Sequence, residues 1–158
     1  MSGILFREEK TYLVLESDLL WNDIYNTPDI DDYRNYRELW LRLCSNISQI
    51  GMPVVLCGCA VPKQFEMCNG RRSFSSIYYL AVVSDDDVLE ERMRRGRGVT
   101  AESWIKSSLD FNRWLKEHAN ETIPKIKLLD NTKLSPEEGA KVAEAWIREC
   151  MSNKNCSY

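Results

Sequence analysis

The sequence predicts an α/β fold with three layers, in which a mainly parallel β-sheet is flanked by helices. Short β-type apolar runs alternate with helical patterns along the chain, which is typical of parallel sheets. One of these runs, Val54–Cys57, has no polar residue, as in a strand covered on both faces. The 158 residues, 44% hydrophobic and 28% charged, fit a single globular domain and exclude a disordered chain or a coiled coil.

The first half of the chain is predicted to hold two strands and one helix. Thr11–Glu16 and Val54–Cys57 are apolar runs that predict strands. Tyr33–Ile50 has apolar residues at steps of three and four, which predicts an amphipathic helix that Gly51 caps and Pro53 cannot continue. Two segments contain Pro and many polar residues: 21–32 predicts a loop or short helix, and 60–73 a long irregular connection.

The second half continues the alternation. Ile77–Val83 is the strongest predicted strand, and Ser84 is interpreted as the N-cap of a helix that Gly96 and Gly98 end. The remaining predicted elements are a helix from Glu102 to about His118, an extended run Lys125–Leu129, a helix capped by Ser135, and a tail over residues 151–158.

Charge and cysteine usage narrow the possible partners. The net charge of −3 argues against nucleic-acid binding, and no apolar run approaches the roughly 18 residues of a membrane span. The N-terminus has no long apolar stretch of a signal peptide, so we expect a cytoplasmic protein. The six cysteines form no CxxC pair and His118 is the only histidine, so we predict no metal site.

Several groups near predicted strand ends are candidates for chemistry. Glu16 and Asp18 could take a proton from an alcohol and help to hold magnesium, or Asp18 could simply cap the next turn. Gly58 allows either close approach to a ligand or a tight turn. Trp21 lies outside any helical stripe and is the aromatic residue expected to face a ligand. Four other tryptophans are predicted to be core: Trp40, Trp104, Trp114 and Trp146.

Two groups of arginines are also candidates. Arg92, Arg94, Arg95 and Arg97 lie beside two glycines, as in a closing lid that clamps phosphate. They could equally pair with Glu90 and Glu91 along a solvated helix. The pair Arg71 and Arg72 could contact an anionic or hydroxyl-rich substrate, or could be an ordinary surface pair.

These motifs, in this order, resemble the P-loop nucleoside and nucleotide kinase family, near the shikimate-, gluconate- and small-antibiotic kinases. The resemblance covers residues 12–150, with residues 1–11 atypical. Four segments match in order. YLVLESDLLW resembles the family's second strand and acceptor motif, and VVLCGCAVPKQFE resembles its third strand and the Walker-B-region turn. YYLAVVSDDDVLEERMRRG resembles the fourth strand and the lid helix, and IKLLDNTKLSPEEGAKVAEAWI resembles the last strand, the adenine-side loop and the C-terminal helix.

The resemblance implies transfer of the γ-phosphoryl group of ATP, with Mg²⁺, to a hydroxyl of a nucleoside-like small molecule. Its residue assignments are as follows: Asp18 is similar to the general base, Glu16 to the carboxylate near magnesium, Arg92 and Arg95 to the lid arginines, Asn131 and Thr132 to the adenine-side loop, and Arg71 and Arg72 to acceptor contacts.

The chain departs from the family in one respect. No GxxxxGK[ST] phosphate loop occurs, and the strand that precedes this loop in the family is the central one of the sheet. We therefore expect impaired catalysis and two unpaired strand edges, which favour a homo-oligomer through strand exchange. The alternatives are a non-catalytic nucleotide- or nucleoside-binding or regulatory module, and a truncated product with no function of its own.

Overall fold

A computed structural model describes residues 11–20 and 33–152 of the chain. The helices and strands of these residues are, in order, β1 (Leu13–Glu16), α1 (Arg34–Ser48), β2 (Val54–Cys57), α2 (Pro62–Glu66), β3 (Tyr79–Val83), α3 (Asp86–Glu91), α4 (Glu102–His118), β4 (Ile126–Asp130) and α5 (Pro136–Ser152). Two 3₁₀ helices (Ser17–Leu20 and Asn69–Ser73) and one π-helical segment (Arg92–Gly96) complete the description.

The described strands pair in parallel, as predicted, but they form two sheets of two strands each. β1 pairs with β2 so that Leu13 lies opposite Val54 and Glu16 opposite Cys57. β3 pairs with β4 from Tyr79 opposite Ile126 onwards. The mixed α/β class is therefore confirmed. The single sheet is not found, because no strand among the described residues joins one pair to the other.

The chain divides into two compact units. The first runs to Ile77 and takes in the chain from Arg148 onwards. Within it, α1 packs against β2, α2 and the 3₁₀ helix Asn69–Ser73. The predicted helical stripe is its buried face, and Trp40 is only 2% exposed. Gly51 follows the helix with φ of 82°, a conformation that glycine adopts without strain.

The second unit, Tyr78–Ile147, is built on β3, β4 and the long helix α4 between them. Its core cluster consists of Val83, Leu115, Ala119 and Ile126. The rings of Phe111 and Trp114 pack on this cluster, and the Trp114 ring is also stacked on His118 with centroids 5.1 Å apart. The predicted boundaries of α4, from Glu102 to His118, are confirmed.

Three local predictions are wrong. The connection predicted to be irregular contains α2, because Pro62 stands at a helix start and Gln64 accepts the N–H of Val61 at 3.0 Å. The helix after β3 has Asp85 as its N-cap, because the Asp85 carbonyl accepts the N–H of Leu89 at 2.9 Å, while both backbone groups of Ser84 are bonded to Asn112. Trp104 was expected in the core but is 67% exposed, whereas the adjacent Ile105 is only 2% exposed, so the buried face of α4 does not include Trp104.

Some predictions fall on parts of the chain that the structure does not describe. Trp21 and the rest of segment 21–32 lie outside the described residues, as do 1–10 and 153–158. Met151 and Ser152, predicted to begin the tail, are the last residues of α5. None of the described helices has the length and apolar character needed to cross a bilayer.

Candidate functional site

The two predicted acidic residues lie at the carboxyl end of β1. Glu16 is the last residue of the strand and lies beside Cys57 of β2. Extended backbone ends there, because Ser17 and Asp18 belong to a 3₁₀ helix. The idea that both carboxylates point the same way along a strand therefore does not hold. Asp18 is exposed, and the buried Ser17 hydroxyl donates to its carboxylate at 3.4 Å.

Gly58 is explained by packing within the first unit. A Cβ atom at this position would lie 3.0 Å from the Cβ of the buried Ser17 and closer still to its hydroxyl oxygen. Only glycine lets the chain leave β2 so close to the end of β1. This favours the tight-turn interpretation. Burial and the nearby Glu16 carboxylate raise the pKa of the Cys57 thiol, so Cys57 is a poor nucleophile.

Arg92 links the two segments that the resemblance assigns to the ATP side. It begins the π-helical segment after α3, and its guanidinium donates to three backbone carbonyls of the β4–α5 loop (residues 131–135). The distances are 2.9 Å to Asn131, 3.5 Å to Thr132 and 3.3 Å to Leu134. The structure thus brings together three of the predicted site residues, all in the second unit.

The β4–α5 loop is further fixed by its own hydrogen bonds. The Thr132 hydroxyl accepts the N–H of Asp85, and the Thr132 N–H donates to the Asp130 carboxylate, both at 2.9 Å. Hydrogen bonding from Thr132 holds the pKa of Asp130 below its usual value. Within this ordered loop, the Oδ1 atom of Asn131 is buried and has no hydrogen-bond partner among the described residues.

A buried asparagine that the sequence analysis did not single out supports the end of β3. The Asn112 side chain accepts the N–H of Ser84 at 3.2 Å and donates to its carbonyl at 2.9 Å. Its amide also donates to Asp86, whose other oxygen accepts from Arg113 at 2.6 Å. Arg113 and Asn112 lower the pKa of Asp86. No local pattern indicated this role, because Asn112 lies 28 residues from Ser84.

Two further arginines of this cluster, Arg94 and Arg95, are paired with glutamates, as the alternative interpretation of a solvated helix predicts. Arg94 contacts Glu90 and, through two nitrogens, Glu102, all at 2.8 Å. Arg95 contacts Glu91 at 2.8 Å, and its side chain is 83% exposed. Such exposed pairs contribute little to stability and exchange partners easily. Gly98, with φ of 66°, follows this segment, so the predicted glycine break is present.

The two arginines of the first unit have different environments. Arg71 donates to the Glu66 carboxylate at 2.8 Å and to the Phe74 carbonyl at 2.7 Å, so it is engaged in holding its own turn. Arg72 is exposed and lines a polar cleft beside α1. Glu16 and Asp18 do not line this cleft. Across residues 11–20 and 33–152, no three His, Cys, Asp or Glu side chains group as metal ligands.

Comparison with known proteins adds no family to these observations. No protein-family model matches the chain, and no curated protein matches it significantly.

Proposed function

We propose that this chain is a kinase-like nucleotide-binding protein, related to ATP-dependent phosphotransferases that act on small molecules. The observation that carries the proposal is the bonding of Arg92 to the β4–α5 loop. These two segments are 39 to 42 residues apart, and the resemblance assigns both to the ATP side. Each unit also contains one parallel strand pair, and parallel pairing is the pairing that such a sheet requires.

The β4–α5 loop fits the adenine base. The buried Oδ1 of Asn131 is an acceptor without a donor among the described residues, and the exocyclic amine of adenine is a donor of the right kind once the loop opens to expose this atom. Leaving a buried acceptor unpaired costs about 1–3 kcal/mol, which a bound base would recover. The guanidinium of Arg92, held by the loop carbonyls, adds a planar cation on which an aromatic base can stack.

On the acceptor side, Asp18 is the proposed general base. It is exposed and free to receive a proton from a hydroxyl group of the acceptor, whose oxygen then forms the new bond to phosphorus while the bond to the leaving ADP oxygen breaks. Bound ATP supplies the phosphoryl group. Arg95 can leave its exposed pair with Glu91 to neutralise phosphate charge. Magnesium carried by a nucleotide needs one or two protein carboxylates, and Glu16 is proposed for that role.

The adenine part of the proposal is tested by calorimetric titration of the chain with ATP. We expect saturable binding that Asn131→Ala weakens at least tenfold, because the base loses its acceptor. Asn120→Ala, at an exposed turn after α4, is the matched control and should bind like the wild type. Absence of ATP binding, or equal affinity of the Asn131 variant, contradicts this assignment.

A phosphotransfer assay across nucleosides tests the catalytic part. If Asp18 is the base, Asp18→Asn lowers turnover roughly a hundredfold or more, the usual contribution of a general base. Asp87→Asn, at another exposed aspartate, should leave the rate unchanged. Turnover that is insensitive to Asp18→Asn excludes this residue as the base.

The absence of a GxxxxGK[ST] loop from the printed sequence favours a second candidate, a non-catalytic nucleotide- or nucleoside-binding module. This function predicts ATP binding that depends on Asn131 without any turnover. The two assays together therefore distinguish the candidates.

A further inference from the structure

We propose that the first unit carries an anion-binding cleft that takes a small, hydroxyl-rich phosphate monoester. The polar cleft lies between α1 and the 3₁₀ helix Asn69–Ser73 and has a volume of about 350 Å³. That size is in the range of small-molecule sites. The cleft contains Arg72, which the resemblance assigns to acceptor contacts, but none of the residues proposed above for ATP binding, for magnesium or as the general base.

The turn that forms one wall of the cleft is fixed to α1 by hydrogen bonds to a carboxylate. The two oxygens of Glu38 accept the N–H groups of Asn69 at 2.5 Å and Gly70 at 2.8 Å. A Cβ atom on Gly70 would lie 2.8 Å from the Cβ of Leu41, so only glycine allows this close approach. Both Glu38 oxygens are thus directed at the backbone of the turn, and the single negative charge of Glu38 in the lining is outnumbered by the two positive charges of Arg42 and Arg72.

Arg71 fixes the same turn from its other side. Its Nε donates to the Glu66 carboxylate and its Nη1 to the Phe74 carbonyl. This ion pair is 2.8 Å long and its side chains are less than a third exposed. Glu38 and Arg71 thus fix the backbone of this turn from two sides. The next residue, Arg72, therefore projects from a preorganised backbone, which lowers the conformational entropy lost when a ligand binds.

Two arginines line the cleft and have no partner among residues 11–20 and 33–152. Arg42 on α1 and Arg72 on the turn both line it, and neither makes an ion pair or a side-chain hydrogen bond within the described part of the chain. Guanidinium groups bind phosphate through paired, charge-assisted hydrogen bonds. Unpaired arginines in one cleft thus favour an anion over a neutral or cationic ligand.

The remaining lining selects for hydroxyl groups. Apart from Glu38 and Gly70, it consists of amide and hydroxyl side chains, among them Ser45, Asn46, Gln49 and Ser73. These groups donate and accept hydrogen bonds, which sugar hydroxyls need. The lining has no apolar side chain on which a base or lipid tail could rest. A phosphorylated sugar-like compound therefore fits better than an acyl phosphate or a nucleobase.

Calorimetric titration of the full chain with ribose 5-phosphate tests the cleft. We expect saturable binding that Arg42→Gln and Arg72→Gln each weaken at least tenfold, with Arg72→Lys between Arg72→Gln and the wild type. The matched control is Lys127→Gln, an exposed cation on β4 of the second unit, which should bind like the wild type. Both arginines are exposed, and an unchanged thermal unfolding midpoint shows that each variant folds.

Three outcomes overturn the proposal. These are no saturable binding at millimolar ribose 5-phosphate, binding that neither arginine variant affects, and binding that Lys127→Gln weakens equally. Inorganic phosphate and unphosphorylated ribose separate the contributions of charge and hydroxyls, and equal affinity for phosphate and ribose 5-phosphate contradicts the sugar assignment. Asn131→Ala should leave this binding unchanged, so failure here is distinguishable from failure of the ATP proposal.

Discussion

Ser135 and Glu138 satisfy each other's backbone at the start of α5. The Ser135 hydroxyl accepts the N–H of Glu138 at 3.2 Å, and the Glu138 carboxylate accepts the N–H of Ser135 at 2.8 Å. This is the reciprocal pattern known as a capping box. The hydrogen bond from the Ser135 backbone, followed by that of its side chain, holds the pKa of Glu138 below its usual value.

The capping box of Ser135 and Glu138 predicts that the free energy of unfolding depends on pH. Because folding lowers the pKa of Glu138, its ionised form stabilises the native state above the ordinary glutamate pKa, and this stabilisation is lost as the pH falls through the lowered folded value. Glu138→Gln should therefore lower the urea midpoint at about pH 7, and its deficit should vanish near about pH 3. Glu137→Gln, one residue away and without a described partner, is the control. A deficit that is the same at both pH values contradicts the prediction.

Residue roles were predictable where the partners are close in sequence. Ser135 and Glu138 are three residues apart, and the cap was predicted. Arg71 had two interpretations, a substrate contact or an ordinary surface pair, and the structure pairs it with Glu66 only five residues earlier, because the chain turns after α2 into a 3₁₀ helix. The bonds of Arg92 to the β4–α5 loop span about 40 residues, and no local pattern reveals contacts over that distance.

At the scale of elements, α4 is tied to the end of β3 by Asn112. This residue is 4% exposed and satisfies both backbone groups of Ser84, which is equally buried. A buried amide that bonds the backbone in this way replaces the water that the end of a strand would otherwise need.

Truncation of this side chain should be strongly destabilising. Asn112→Ala leaves the N–H and carbonyl of Ser84 buried without partners, and we expect a loss of about 3 kcal/mol in the free energy of unfolding. Denaturation by urea measures this loss. Asn120→Ala, at an exposed position, should change stability by less than about 0.5 kcal/mol. A loss of that small size in Asn112→Ala would show that water replaces the amide.

Elements with a continuous hydrophobic pattern were easier to predict than elements without one. The helix Glu102–His118 and the strand Val54–Cys57 have the predicted bounds, since each has a continuous pattern. The five-residue helix α2 was missed because it is too short to display a helical period. Trp104 fits the apolar period of α4 but is exposed, while Ile105 beside it is buried, and the period alone does not say which of two adjacent apolar residues faces the core.

At the scale of the whole molecule, the strands have less cover than a parallel sheet usually has. The apolar residues of β2 are only partly buried, and Val82 of β3 is 43% exposed. Parallel strands are normally covered on both faces and are rarely stable as isolated pairs. Each strand also has only one ladder partner among the described residues, which leaves an edge able to pair with another chain.

We therefore predict self-association through these edges. Size-exclusion chromatography with light scattering should give a dimer or larger species whose population rises with concentration. Val82→Lys should shift it toward monomer, because an edge lysine opposes strand pairing. Val142→Lys on α5, where the native valine is 49% exposed, is the matched control and should associate like the wild type. A stable monomer at all concentrations contradicts the prediction.

The order of strands along the chain also has a kinetic consequence. β2 ends before β3 begins, so the segment that must fold to pair β1 with β2 precedes in sequence the segment that pairs β3 with β4. The loop between β1 and β2 and the loop between β3 and β4 do not overlap in sequence. Forming one strand pair therefore does not change the length of the loop that the other pair must close. Since closing a long loop is a main barrier to forming parallel pairs, synthesis from the N-terminus allows the first pair to form while the residues of the second are still being added.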